Sequence, residues 1–406
     1  MKKNLLLSTS SFPFNSEIQE AFLIEELTQL SQNFNLIFIC PSVNSGSLNI
    51  SLPKNVKLMP IPKYLTFKWK LYAIILLFNR DFWDEFFQAK RNITIKNVFS
   101  LTREMLIFLT HAKKLKHDVI KIIKTQKINP ADFIFYSYWL NYSALGFVYL
   151  KQKYPMIKTV SRIHSNEVYL HSNHFHYQVF KRKTMLGLSK LFCVSQFLKN
   201  YIITNYNLSS VELNVNRLGT KKQFLIAAPV RSGLKIISIG SADVKRISLL
   251  ESALKKITDI SIEWHHFGSQ NYSNKNNSLP KTLKFIHQGF LSNSLLLSKI
   301  KCEKYDFLIN VSKSEGIPVS IMEAMSFGIP VIATNVGGTS EIVTNENGQL
   351  LNSTPSIEEI CNAIRNFHNL SAEEVVLKKQ AAYKTWKKKY NATKNYTQFV
   401  EDILSL

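Results

Sequence analysis

Asp306-Phe307-Leu308-Ile309-Asn310-Val311 and, after Ser312-Lys313, Ser314-Glu315-Gly316-Ile317-Pro318-Val319-Ser320-Ile321-Met322-Glu323-Ala324-Met325-Ser326-Phe327-Gly328-Ile329-Pro330-Val331-Ile332-Ala333-Thr334 decide the fold. The first run is a continuous apolar strand of the kind buried on both faces of a parallel sheet. Gly316 and Pro318 fix a tight loop, Ile321 to Phe327 read as a short helix, and Gly328 suits the position just past its end. Pro330 prevents the helix from continuing and starts the next strand. A strand, a loop and a helix in this order aim backbone N–H groups at the mouth of a parallel sheet, a place suited to phosphate. Glu315 lies in the loop and Glu323 on the first or second helical turn. Each carboxylate can accept two hydrogen bonds from a vicinal diol, and both a ribose and a sugar ring carry one. By itself this spacing favours two ordinary surface acids near a helix N-terminus, where acids are common.

The same grammar extends outward in both directions. Leu234 to Gly240, Ile260 to Gly268, Tyr305 to Val311 and Pro330 to Ala333 form one strand series. Asn4 to Ser10, Asn35 to Cys40, Asp132 to Tyr138, Lys158 to His164 and Lys190 to Ser195 form another. Apolar strands alternating with helical stretches predict an α/β chain with parallel sheets. At 406 residues it is long enough for two such domains. The predicted division is 1–220, an N-terminal Rossmann-like domain, and 221–392, a C-terminal one. A hinge is expected near 219–232, where Gly219, Pro229 and Gly233 cluster. The two sheets are expected to face each other across an interdomain cleft. A terminal helix over 393–406 places Tyr396, Phe399, Val400, Ile403 and Leu404 on one stripe. Residues 65–103 interrupt the first domain as a helical insert.

Composition narrows the class. With 45% hydrophobic and 19% charged residues, no window is biased enough to read as disordered. Cys40, Cys193, Cys302 and Cys361 have no ligand spacing, each sits in an apolar run, and they are expected to be reduced core residues of a cytosolic protein. The basic start Met1-Lys2-Lys3 is followed by an apolar run of only Leu5 to Leu7, a first strand and not a signal peptide. The longest apolar stretch, Leu71 to Phe78, is far short of the roughly 18 residues that span a bilayer. Net charge is +23, from 51 basic and 28 acidic side chains, which calls for a polyanionic partner such as nucleotide diphosphate, anionic lipid or nucleic acid. Nucleic acid is set aside because the basic residues are scattered and no binding motif accompanies them.

The stretch around Glu315 closely resembles the Glu-x7-Glu signature of glycosyltransferase family 4, with the downstream Gly337-Gly338-Thr339-Ser340-Glu341-Ile342 included. Arg217-Leu218-Gly219-Thr220 resembles the family's interdomain segment. Phe12-Pro13-Phe14 with Glu20-Ala21-Phe22-Leu23 resembles the opening of its polysaccharide-biosynthesis members. The resemblance implies a GT-B fold, a metal-independent reaction without cofactor and retention of anomeric configuration; no Asp-x-Asp occurs in the chain. It implies that Glu315 contacts donor-sugar hydroxyls, that Glu323 contacts the ribose, and that the backbone of Gly316, Ile317 and Val319 approaches sugar and diphosphate. In the loop Ile239-Gly240-Ser241-Ala242-Asp243-Val244-Lys245-Arg246, Lys245 matches the family's cation. The family's Arg position holds Gly240 or Ser241, so Arg246 is expected to replace its charge. Ser161-Arg162-Ile163-His164-Ser165-Asn166-Glu167 resembles the family's His-Gly-x-Asp segment, with Ser165 for Gly and Glu167 for Asp. It implies a contact from His164 to the donor sugar. The nearby His171, His174 and His176 read as a surface loop, and no metal site is expected.

The expected activity is transfer of a sugar from a nucleotide diphosphate to a lipid-linked saccharide or growing surface polysaccharide. A catalytically silent homologue partnering another transferase and a sugar-nucleotide 2-epimerase remain open alternatives. The expected place of work is the cytoplasmic face of an anionic membrane. Docking is assigned to Phe67-Lys68-Trp69-Lys70-Leu71-Tyr72-Ala73-Ile74-Ile75-Leu76-Leu77-Phe78, with Trp69 and Tyr72 at headgroup level beside Lys68 and Lys70. The same run could equally be a core helix on the first sheet.

Overall fold

The structure is a computed structural model that describes residues 2–14, 23–43, 46, 48, 50–90, 97–208, 211–223, 233–269 and 279–406. The chain divides into two compact units, Met1–Asn216 with Thr397–Leu406, and Arg217–Tyr396.

In the first unit the strands are β1 (Asn4–Thr9), β2 (Ile37–Pro41), β3 (Val56–Leu58), β4 (Phe133–Ser137), β5 (Lys158–Ile163), β6 (Lys190–Cys193) and β7 (Leu213–Val215). They lie in the order β3-β2-β1-β4-β5-β6-β7, and every pairing is parallel. The helices are α1 (Leu23–Asn33), α2 (Phe67–Ile75), α3 (Arg80–Lys90), α4 (Val98–Thr125), α5 (Tyr142–Lys153), α6 (Lys181–Gly187) and α7 (Gln196–Tyr206). In the second unit β8 (Leu234–Ile239), β9 (Ile262–Phe267), β10 (Leu283–Gly289), β11 (Phe307–Asn310), β12 (Val331–Thr334) and β13 (Gly348–Leu351) form a parallel sheet in the order β10-β9-β8-β11-β12-β13. Helices α8 (Ile247–Lys256), α9 (Asn293–Glu303), α10 (Val319–Ser326), α11 (Ile357–His368) and α12 (Ala372–Lys389) belong to it, and α13 (Ala392–Leu404) closes the chain. These are the two parallel-sheet, Rossmann-like units expected from the strand pattern. Each sheet reverses its order once, between β1 and β4 and between β8 and β11, and ligands of open α/β sheets bind outside the carboxyl ends of strands at such switch points.

The first unit has a polar network at its centre. Glu26 and Arg162, both fully buried, form an ion pair at 3.0 Å. Arg162 also donates to the Asn216 carbonyl at 3.0 Å and side chain at 2.9 Å, and Tyr136 donates to Glu26 at 2.8 Å. The guanidinium lies 4.4 Å from the ring centre of Phe399 on α13. Two charges are tolerated here because they pair with each other and make further hydrogen bonds with Tyr136, the Asn216 side chain and the Asn216 carbonyl in place of water. Phe399, Val400 and Ile403 complete this core, which explains why the last residues belong to the first unit.

Several expectations are adjusted. The division falls after Asn216 and not at 220. Thr220 donates its N–H to the Tyr390 carbonyl at 3.0 Å and accepts at its hydroxyl from Trp386 Nε1 at 2.8 Å, which ties 217–220 into the second unit. Residues 224–232 of the expected hinge, and Glu20-Ala21-Phe22 of the opening motif, lie outside the described residues. The helix placed at Ile321 to Phe327 starts two residues earlier, at Val319, because the Pro318 carbonyl already accepts the N–H groups of Ile321 and Met322 at 3.2 and 3.3 Å. Gly328 has φ +73, the left-handed conformation expected just past a helix end, and its N–H bonds to the Met325 carbonyl. Cys40, Cys193 and Cys361 are buried, but Cys302 is exposed, because its place near the end of α9 faces solvent. The insert is mostly helical, as expected, over its described residues, 65–90 and 97–103; residues 91–96 lie outside them. It is not a core helix: no residue of α2 is buried.

Candidate functional site

The loops at the carboxyl ends of β8 and β11 carry most of the candidate residues, and both belong to the second unit. Strand β11 is buried throughout and delivers Asn310 to its end. The chain turns through Ser312 to Glu315, and α10 begins at Val319, whose N–H, like that of Ser320, has no helical carbonyl to bond. Glu315 is held from two sides. Lys245, from the loop after β8, forms an ion pair with its Oε1, while Ser312 Oγ donates to the same oxygen at 2.6 Å and Asn310 Nδ2 at 3.3 Å. Burial alone would raise the Glu315 carboxyl, but the Lys245 charge and these hydrogen bonds outweigh it and hold the group below the usual carboxylate range. Glu315 is thus an ionised acceptor at neutral pH.

Glu323 lies on the second turn of α10, with 7% of its surface exposed. Among the described residues no cation lies beside it. Asn293 Nδ2, at the first residue of α9, donates to its Oε1. Burial pushes the carboxyl up to about 7, only partly offset by Asn293. The carboxyls of the two glutamates on one loop-helix unit are therefore shifted in opposite directions.

The loop after β8 is shaped by Gly240, whose φ is +125; a Cβ there would come 2.7 Å from Lys245 Cε, so the missing side chain leaves room for the lysine to reach Glu315. Ser241 is exposed, and its carbonyl accepts the Lys245 N–H at 3.0 Å. Arg246 adopts φ +47 and folds back. Its guanidinium donates to the carbonyls of Val311 at 2.5 Å, Ser312 at 2.8 Å and Ser353 at 2.9 Å, so it staples the two loops together. Gly316 accepts from the Gly338 N–H at 3.0 Å, which fixes the loop against the Gly337–Glu341 turn. Ile317 is buried and Val319 half-buried. The structure thus brings Lys245, Arg246, Glu315, Gly316, Ile317, Val319 and Glu323 to the carboxyl end of one sheet.

His164 belongs to the first unit, just past the end of β5. Its N–H donates to Glu167 Oε2 at 3.0 Å, so the glutamate in place of the family's Asp closes the turn. The ring packs 4.3 Å from that of Trp139 and 5.1 Å from Tyr138, and both of its nitrogens are buried without a hydrogen-bond partner among the described residues. His171, His174 and His176 do not assemble into a metal-capable group; His171 stacks on Tyr169. Among the described residues Glu263, His265 and Glu303 do converge, but the Lys235 ammonium binds both glutamates and makes an ion-pair network of them. They lie toward the amino ends of β8 and β9, away from the Glu315 loop.

Comparisons with known proteins bear on this geometry. Residues 233–369, which contain the whole loop-helix unit, match the family profile described as glycosyl transferases group 1. An uncharacterised glycosyltransferase of Methanocaldococcus jannaschii is 27% identical over 271 residues, 64% of this chain and 71% of that one. The findings support a glycosyltransferase with the GT-B fold. Among solved structures, the apo lipopolysaccharide outer core galactosyltransferase WaaB is similar with a TM-score of 0.69 and 13% identity, covering 99% of both chains. HepE of Anabaena, solved with UDP and glucose, is similar with a TM-score of 0.64 and 15% identity over the full length of both.

Within that glycosyltransferase fold, sequence reading passed over Asn293, Asn310 and Ser312. Asn310 and Ser312 flank the signature directly and carry polar side chains at the end of an apolar strand, a signal that could have been read. Asn293 could be paired with Glu323 only in three dimensions, since 30 positions separate them.

Proposed function

We propose that this protein is a retaining, metal-independent hexosyltransferase of family 4, which moves a sugar from a nucleotide diphosphate donor to a lipid-linked saccharide or growing surface polysaccharide. The observation that carries the reading is the loop-helix unit with Glu315 ionised beside Lys245 in the loop and Glu323 on the second turn of the helix that follows. In this reading Glu315 accepts hydrogen bonds from the donor-sugar hydroxyls and Glu323 from the ribose. The N–H groups of Gly316, Ile317 and Val319 meet sugar and diphosphate. Lys245 counters the charge that grows on the leaving diphosphate, an interaction stronger in the transition state than in the ground state. An acceptor hydroxyl forms the new C–O bond on the face from which the diphosphate departs, and its proton passes to a phosphate oxygen. His164 is assigned a contact to the donor sugar. The UDP and glucose bound by HepE support a nucleotide-sugar donor.

One observation favours a second reading. Arg246 is held by three carbonyls, so the second cation expected at the diphosphate is engaged elsewhere, as it would be in a silent homologue that only partners another transferase. A screen of nucleotide-sugars by thermal stabilisation, followed by turnover with the stabilising donor and by NMR of the product anomer, separates the readings. Stabilisation with transfer and retained configuration supports the proposal; stabilisation without turnover in the presence of acceptor saccharides supports the silent homologue; an inverted product contradicts the mechanism.

A further inference from the structure

Helix α2 and the 3-10 turn Leu76–Phe78 that continues it display two different faces. Trp69 packs edge-on against Tyr72 at 5.3 Å and against His117 of α4 at 5.7 Å, and Leu76 is buried. These side chains hold the segment onto the first unit. Trp69 and Tyr72 therefore do not form the outer surface that the sequence assigned to them. Phe67, Leu71, Ile74, Ile75 and Phe78 do: they are 75%, 49%, 57%, 61% and 87% exposed. Their spacing puts them on one helical stripe, the inverse of a helix that buries its apolar side. Trp83 and Phe87 of α3, 43% and 60% exposed, extend it, with Trp83 Nε1 donating to the Leu77 carbonyl at 2.7 Å. An exposed apolar stripe of this extent on a folded unit marks a surface that meets something.

We propose that this stripe inserts into the interfacial layer of an anionic membrane, with Phe67 and Phe78 as its anchors. The twelve-residue segment is roughly 18 Å long, too short to cross a bilayer and suited to lying along it. No helix among the described residues is long and apolar enough to span. The charges around the stripe complement an anionic surface: Lys68 and Lys70 are exposed beside it, and of the acids on α3, Asp84 is paired with Arg80 at 3.5 Å, Asp81 with Lys183 and Lys113, and Glu85 is buried. The chain's net charge of +23 adds the longer-range attraction. This deepens the lipid-linked-acceptor reading by naming the surface that would bring enzyme and acceptor together, but it stands on the stripe alone.

The test is sedimentation of the full chain with vesicles of phosphatidylcholine, or of phosphatidylcholine mixed with phosphatidylglycerol. The wild type is expected to sediment with the anionic vesicles, less so as salt rises and not to zero, because apolar contact survives screening. A Phe67→Ser, Ile75→Ser, Phe78→Ser variant is expected to lose binding at least about tenfold while its melting temperature and nucleotide binding stay put, since these side chains support nothing in the fold. Lys68→Glu with Lys70→Glu should weaken anionic-vesicle binding and leave any neutral-vesicle binding unchanged. Failure of the wild type to sediment, or equal sedimentation of the Ser variant, overturns the proposal; nucleotide binding that persists then leaves the transferase reading intact. A wild-type dimer dispersed by the Ser variant, with no vesicle binding, overturns it in favour of a second copy of the chain.

Discussion

Glu315 and Glu323 sit on the same loop-helix unit, both largely buried, yet the surroundings drive them apart. Around Glu315 the chain collects Lys245, Ser312 and Asn310, and the carboxyl stays below its usual range. Around Glu323 it places one amide, Asn293, and burial pushes the carboxyl up to about 7. The difference is in the partners and not in the burial. A carboxylate that must remain charged is given a cation and two donors. One whose hydrogen-bonding capacity is left to a ligand is given little else, and its ionised form is favoured when something supplies the missing bonds. In the proposed donor complex the ribose hydroxyls are that supply.

This contrast can be broken most severely at Glu315. Glu315→Ala, like Lys245→Ala, is expected to lower turnover by about two to three orders of magnitude, because the proposal places both at the reacting sugar and leaving diphosphate. Affinity for free nucleoside diphosphate should fall far less in Glu315→Ala. Steady-state kinetics beside calorimetry reads both, and a Glu315→Ala variant that turns over normally removes the assignment.

A smaller effect tests the protonation contrast. Because the folded Glu323 holds its proton more tightly than an ordinary glutamate, its contribution to stability is present below the ordinary carboxylate pKa and is lost as pH rises through about 7. From this group alone the loss is roughly 3 kcal/mol. A ribose that prefers the ionised form should bind several-fold more tightly at pH 8 than at pH 6. Glu323→Gln removes that step while the ligand's own phosphate titration remains, so identical pH profiles for the two proteins would show that Glu323 does not titrate there.

The smallest effect on chemistry is expected at Arg246, which ties carbonyls of two loops. Arg246→Ala should cost about 1–3 kcal/mol in chemical denaturation and reduce turnover much less than Lys245→Ala. Equal losses of turnover in the two variants would restore Arg246 to the diphosphate.

The sequence showed the interior of each sheet and not its rims. The nine strands read from continuous apolar runs are β1, β2, β4, β5, β6, β8, β9, β11 and β12, all flanked by strands on both sides. The four passed over, β3, β7, β10 and β13, are the edges. Their residues are only partly buried, as in β10, where Leu283 alone is buried, so no apolar run announces them. The site was legible for a related reason. Its glutamates, glycines and prolines lie within one contiguous motif, whereas the amide that partners Glu323 comes from α9, and the role of Arg246 depends on carbonyls as far away as Ser353. Charge told where a cation was, but only the geometry told what it bonds. The insert taught the same lesson: its composition permitted a core helix or a docking helix, and the exposure of Phe67, Ile75 and Phe78 rules out the first.

The most direct test of the donor assignment is calorimetric titration of UDP and UDP-glucose, together with the other common nucleoside diphosphates, into wild-type protein and Glu323→Ala. The account predicts that at least one nucleoside diphosphate binds the wild type, and that Glu323→Ala weakens that nucleotide and its sugar conjugate alike, by about tenfold or more, because the ribose is common to both. Wild-type affinity for the nucleotide in Glu323→Ala would contradict it.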